Sequence, residues 1–169
     1  MMSRTTIMKV WPFRRVECAT ELSNSWGFCP AIWDAMYMKY LGRKLTLSDD
    51  MTALWQLYKR SDIPLSHRAV LCMTFDNAYI RNRDYKRAAT HIRDFLEDFP
   101  TTKEKVNHLP EIASILDELP DSPAIGFWGT SVSDTPFLGP YNECNDDYDT
   151  FDWTMAFDIY DELAAQEPE

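Results

Sequence analysis

The chain has 169 residues, of which 45% are hydrophobic and 14% aromatic, enough to fill a packed core and to exclude global disorder. Five glycines are too few for glycine-rich nucleotide loops or for collagen-like or propeller repeats. The net charge of −10 is unevenly placed: all 17 Lys and Arg lie between Arg4 and Lys105, where the balance is +5, whereas residues 106–169 carry 15 acids and no Lys or Arg.

Thr5 to Trp11 alternates loosely and reads as a short strand that Pro12 ends. Pro30 to Leu41 predicts a helix, with Pro30 suited to the first turn and Gly42 just past the end. Its apolar face is Ile32, Trp33, Met36, Tyr37 and Tyr40. A second helix is expected from a Ser48 cap. Asp49 and Asp50 would lie in its first turn, Lys59 and Arg60 in its last, and Met51, Leu54, Trp55 and Tyr58 along its stripe. Leu65 to Ile80, centred on the apolar run Val70 to Phe75, fits a buried helix or a strand by periodicity alone, and a Ser66 cap with no interrupting turn signal favours the helix.

Asn82 opens the clearest helix. Tyr85, Ala88, Ala89, Ile92, Phe95, Leu96 and Phe99 repeat at helical spacing until Pro100. Pro110 to Leu119 predicts a shorter helix with Ile112, Ile115, Leu116 and Leu119 inward, and Ala124 to Val132 a strand. Ser133 to Asp149, rich in Pro, Gly, Asn and Asp, reads as a long acidic loop. From Phe151 to Ile159 the apolar residues alternate as in a strand, yet Trp153, Ala156, Phe157, Tyr160, Leu163 and Ala164 also form a helical face. The high helix propensity of Asp161 to Gln166 favours the helix.

These segments predict an α+β, mainly helical fold: a single compact domain over 1–169 with a small β element and a long acidic loop near the C-terminus. Residues 1–119 would be mainly helical, net basic to residue 105, and 120–169 an acidic, aromatic subregion. Met1 to Trp11 lacks the apolar run of a secretory signal, and no stretch approaches the ~20 residues of a membrane span, so a cytoplasmic location is expected and no membrane partner. Cys18, Cys29, Cys72 and Cys144 form no C-x-x-C pair and are expected as free, buried thiols.

Chemistry-bearing motifs are sparse. His108 with Glu111 and His91 with Asp94 stand three apart, as isolated surface pairs do, and capping or exposure accounts for His67. A calcium loop starting at Asn145 would place Thr150 where glycine is needed and Ala156 where a bidentate glutamate is needed. Asp147 to Thr150 is similar to the nucleophile motif of aspartate-based phosphatases but follows no apolar strand. Gly129 to Ser133 lacks the second glycine of a nucleophile elbow, and no dinucleotide or Walker loop is present. No cofactor and no metal site is expected, and the balance leans against an enzyme.

Two surfaces carry information. The basic one is Arg81, Arg83, Lys86 and Arg87, extended by Arg93: a phosphate-contacting face, or else a solvated helix face or a dock for the acidic C-terminal third. The chain's charge opposes direct binding of nucleic acid. The acidic one sets Asp146, Asp147, Asp149 and Asp152 among Phe137, Tyr141, Tyr148 and Trp153, a combination that suits Lys and Arg of a partner. Those rings would equally serve the domain's own core.

The leading expectation is a small acidic interaction protein that binds and blocks a basic protein partner, such as a nucleic-acid-binding complex. In size, charge and lack of motifs the chain is similar to inhibitors encoded by phages and mobile elements, including anti-CRISPR and anti-restriction proteins, and to toxin-neutralising immunity proteins. The alternatives are a metal-dependent hydrolase using Asp146, Asp147, Asp149 and Asp152, and a nucleic-acid adaptor working through the Arg81–Arg93 helix.

Overall fold

The computed structural model describes residues 4–12, 16–23, 28–46, 48–49, 51–104, 107–128, 137, 141–148 and 156–168. Strand β1 (Arg4–Val10) forms where alternation predicts it and pairs antiparallel with β2 (Val16–Ser23). No predicted element corresponds to β2. A bulge sets Ile7 opposite Thr20 but Met8 opposite Cys18, so Ala19 is an extra residue and the apolar period of two is lost.

Helix α1 (Cys29–Leu41) begins with a proline in its first turn and stops at Gly42, whose φ of 78° is the left-handed conformation that a side chain disfavours. The second predicted helix starts later than expected and is short. Asp49 accepts from the Thr46 backbone N–H at 2.6 Å and from Arg43 at 2.5 Å, and these local bonds hold the chain in a loop instead of a first turn. Helix α2 (Thr52–Trp55) then runs into a 3₁₀ turn over Gln56–Lys59.

Helix α3 (Leu65–Cys72) is the buried apolar helix, but it ends well short of Ile80. Asp76-Asn77 is the turn signal that the preceding apolar run obscures, and Ala78–Arg81 is strand β3. A 3₁₀ turn over Asn82–Asp84 leads into α4 (Tyr85–Asp98), whose stripe Tyr85, Ala88, Ala89, Ile92, Phe95 and Leu96 is buried as its spacing requires. Pro100 both stops α4 and opens α5 (Pro100–Glu104). Helix α6 (Leu109–Asp117) buries Ile112 and Leu116; Leu119, expected inward, lies beyond the helix end with φ 50° and is 47% exposed.

After β4 (Ala124–Trp128), residues 141–148 of the expected acidic loop form a two-stranded hairpin, β5 (Tyr141–Asn142) with β6 (Asp147–Tyr148). The ambiguous C-terminal segment resolves into both of its readings. Phe157–Asp158 is strand β7, and Ile159–Ala165 is helix α7, capped by the Asp158 carboxylate accepting from the Asp161 N–H.

The fold is therefore α+β with helical residues outnumbering strand residues, but its β part is larger than the small element expected. Among the described residues five strands form one mixed sheet in the order β2-β1-β4-β3-β7, antiparallel except for β3 with β7. The non-local pairing of β4 with β1 and β3 builds it, and no local period announces such pairing. One face carries the main core, where Ile7, Ile80, Ile125 and Phe127 meet the apolar stripes of α1, α3, α4, α6 and α7. On the other face Met8, Val10, Tyr79 and Ala124 are covered by Phe137. A Cβ on Gly126 would come within 2.6 Å of the Phe137 ring, so glycine is what lets that ring lie on the sheet.

Of the thiols, Cys29 and Cys72 are buried as expected, but Cys18 and Cys144 are exposed, one on the bulged strand and one in the hairpin turn. No helix among the described residues is long and apolar enough to cross a membrane.

Candidate functional site

The acidic residues of the C-terminal third separate into two groups. The first faces inward. Arg81, at the end of β3, donates from Nε to Asp158 at 2.9 Å, and Arg83 donates to Asp161 at 2.7 Å. Arg87, one turn into α4, lies over the Tyr160 ring at 4.5 Å and 3.8 Å from Asp84. Asp158 is buried, which lifts its carboxyl above the usual range, while the Arg81 hydrogen bond pulls it back. Parallel pairing of β7 with β3 is what brings these groups together. Further along, Glu167 pairs with Arg68, which is 2% exposed and also donates to the Ile63 carbonyl at 2.9 Å. The arginines of the predicted basic patch are thus engaged by acids of the same chain; Lys86 is exposed and makes no ion pair among the described residues.

The second group faces outward. Glu143, Asp146 and Asp147 are exposed on the β5–β6 hairpin. Asp146 adopts φ 51°, a left-handed turn position that Asp tolerates, and its carboxylate accepts from the Tyr141 hydroxyl. Tyr141 is 50% exposed, and its backbone pairs with Tyr148. Of the remaining predicted binding residues, Phe137 is 2% exposed and fills the core beneath the sheet, because the rim-to-backbone fit at Gly126 buries it. Asp149, Asp152 and Trp153 lie outside the described residues. Among the described residues no group of three His, Cys, Asp or Glu converges where a metal ion would sit.

Two arrangements escape sequence reasoning. His67 is neither a cap nor exposed. It is 1% exposed, receives the Tyr40 hydroxyl at Nδ1 (2.6 Å) and donates from Nε2 to Asp98 (2.7 Å), joining α1, α3 and α4. Burial pushes its pKa down against the pull of Asp98, so the ring is neutral and the hydrogen bonds fix its tautomer. His91 likewise bonds Tyr160 at 2.7 Å, and burial, reinforced by Arg87, lowers it too.

The second is aromatic. Phe75 has Trp55, Tyr58 and Phe157 around it at 5.6, 5.8 and 5.5 Å between ring centroids, all edge to face. These four rings, with Thr74 and Asp76, line a cavity of about 340 Å³. Trp33 extends the row: its ring lies 5.3 Å from Trp55, and its indole N–H donates to Thr74 at 3.0 Å. Trp55 and Tyr58 share the stripe read from the sequence, but Trp33, Phe75 and Phe157 come from three other segments, so no spacing in the sequence announces the cluster.

No family model, no curated protein and no solved structure matches the chain.

Proposed function

We propose that the protein is a small acidic interaction module that binds and blocks a basic protein partner, one that handles nucleic acid, by occupying with carboxylates a surface otherwise used for phosphates. The observation that carries this reading is the division of the acids. Asp158 and Asp161 occupy Arg81 and Arg83 within the chain, while Glu143, Asp146 and Asp147 stand exposed on a hairpin, in a stretch of the sequence that has no Lys or Arg. A patch whose arginines are engaged in this way is poorly placed to serve phosphates, whereas exposed like charges add their fields and steer a cationic surface to the hairpin. The comparison with small inhibitors of phages and mobile elements, anti-CRISPR-like or anti-restriction-like, rests on size, charge and lack of motifs.

The test is a quantitative affinity capture from source cells, run in parallel with wild-type bait and with the bait Glu143→Gln/Asp146→Asn/Asp147→Asn. The reading expects a basic protein held by the wild type, released by moderate salt and lost from the triple variant. Equal capture by both baits, or a captured partner without a basic surface, overturns it.

A further inference from the structure

Helix α1 is apolar on both of its sides. Cys29, Ile32, Met36 and Tyr37 are buried in the main core, whereas Trp33 is half-buried and Met38 is 52% exposed. A helix that is apolar all round is ordinarily covered on both sides. Two cavities border the outer row. One, of about 480 Å³, lies between α1 and the start of α5, with Met38 and Phe99 in its walls. The other, of about 680 Å³, lies between α1 and the loop that follows it, with Trp33, Leu45 and Met51 in its walls. Asp34 and Lys44 line both, so the cavities adjoin at these two residues.

Most charges along this groove are already matched. Asp49 is taken by Arg43, Asp98 accepts from His67, and Lys39 lies 5.5 Å from the Phe99 ring centroid. Asp34 and Lys44 differ: among the described residues their side chains make no ion pair, hydrogen bond or ring contact, and they do not bridge each other. One is an anion and one a cation, set side by side on an apolar face.

We propose that a second copy of the chain docks on this face, through an isologous interface whose twofold axis passes between Asp34 and Lys44. Each Asp34 then meets Lys44 of the second copy, and each Lys44 meets its Asp34, so one geometry matches both charges twice. A partner surface of a single sign would leave one of the two unmatched. Met38 and the apolar walls of the two cavities supply the buried area, and the charge pairs fix the register. Net charge points the same way. At −10, two chains repel on average, and a face carrying one unmatched acid and one unmatched base escapes that repulsion. The acidic hairpin has no part in this interface, which is independent of the function proposed above.

Sedimentation equilibrium of the full chain, from about 1 to 100 µM, should show a reversible monomer–dimer equilibrium within that range. Asp34→Lys and, separately, Lys44→Asp each place like charges opposite one another twice, and each should weaken dimerisation by roughly tenfold or more. An equimolar mixture of these two variants should restore association as a heterodimer, because every juxtaposition across the axis is then again between opposite signs. The double variant Asp34→Lys/Lys44→Asp should dimerise for the same reason. Met38→Glu should dissociate the dimer while circular dichroism remains that of the folded chain.

A chain that stays monomeric to the top of that range overturns the proposal. A dimer that the single variants leave intact lies on another face and overturns it equally. If the two single variants, each folded, remain monomeric when mixed, the pairing of Asp34 with Lys44 across a twofold axis is wrong. The hairpin triple variant should dimerise as the wild type does, and loss of the dimer there would assign the contact to the hairpin instead. Asp34 is half-buried, whereas Lys44 and Met38 are exposed, so Lys44→Asp and Met38→Glu carry the test if Asp34→Lys fails to fold.

Discussion

Asp158, Asp161 and Glu167 belong to the same cation-free stretch as Glu143, Asp146 and Asp147, yet the two sets have opposite surroundings. The first set meets Arg81, Arg83 and Arg68 across the sheet edge and under α3, and Asp158 is buried. The second stands on a two-stranded hairpin among exposed neighbours. A run of like charge therefore has no single role. Asp158, Asp161 and Glu167 close the fold on its own arginines, and the acids of the hairpin add to the external field. Composition reports the sum, and only the pairing of β7 with β3 decides which acid does which.

The contrast depends on the helical layer that carries Arg68 and Arg87, and the largest effect comes from breaking that layer. Phe95 is fully buried in the α4 stripe, packed 4.6 Å from Phe99 and 5.7 Å from His67 between ring centroids. Phe95→Ala should cost about 3–5 kcal/mol, through lost transfer energy and an unfilled cavity. Denaturant unfolding checks this, and a midpoint no lower than that of an exposed control would show that the α4 stripe is not the core.

Next in size is the clasp. Arg81→Ala removes the nearest cation from a buried carboxylate, and Arg83, 4.0 Å from Asp158 and itself mostly exposed, replaces it only in part. A loss of roughly 2–3 kcal/mol is expected, below that of a fully buried pair because Arg81 is partly solvated. Asp158→Asn in the Arg81→Ala background should recover part of it, since no buried charge then remains. If Arg81→Ala leaves the melting temperature unchanged, the inner acids are no more structural than the outer ones.

How much of this was legible depended on the range of the interaction. The stripe of α4 and the Pro30 and Gly42 boundaries of α1 are local signals, and the structure follows them. Strands β1 and β4 also lie where the sequence places strands, whereas β2 and β3 were missed for physical reasons. The bulge at Ala19 breaks the alternation of β2, and β3 is a four-residue segment hidden behind an apolar helix and stabilised by β4, more than forty residues away. The histidines were misplaced because their partners, Tyr40 and Asp98 for His67 and Tyr160 for His91, are distant in sequence. The aromatic cluster escaped for the same reason, because Phe75 and Phe157 meet the Trp55–Tyr58 stripe only in the fold. The basic and acidic clusters were legible as charge, but not which acid would meet which arginine.

A graded effect should appear with pH. His67 and His91 are both held below the ordinary histidine value by burial. The unfolded chain therefore takes up these protons first as pH falls, and stability declines with it. Their contribution is complete above about pH 6.5, the unfolded value, and is lost as pH drops from there through the depressed native values. The melting temperature should fall between pH 7.5 and 5, and His67→Gln should flatten part of that slope. A slope that the substitution leaves unaltered would assign the acid sensitivity to other groups.

The smallest effect on stability and the sharpest on function should come from the outer acids. Glu143→Gln/Asp146→Asn/Asp147→Asn touches only exposed side chains, and exposed charges contribute little to folding, so the change should stay within about 0.5 kcal/mol. The same three charges stand within one short hairpin, and like charges closer than the Debye length of ~8–10 Å at physiological salt add their fields at an approaching surface. Association with the captured basic partner should then slow by roughly tenfold at low salt and lose much of its salt dependence, with dissociation changing less. Tyr141→Ala works in the other direction: removing a half-exposed ring from the hairpin should mainly speed dissociation. Melting temperature and association rate measured on the one triple variant separate the two roles. A lowered melting temperature with an unchanged rate would place the hairpin acids with Asp158 and Asp161 as structural, and would leave the division of the acids without a functional side.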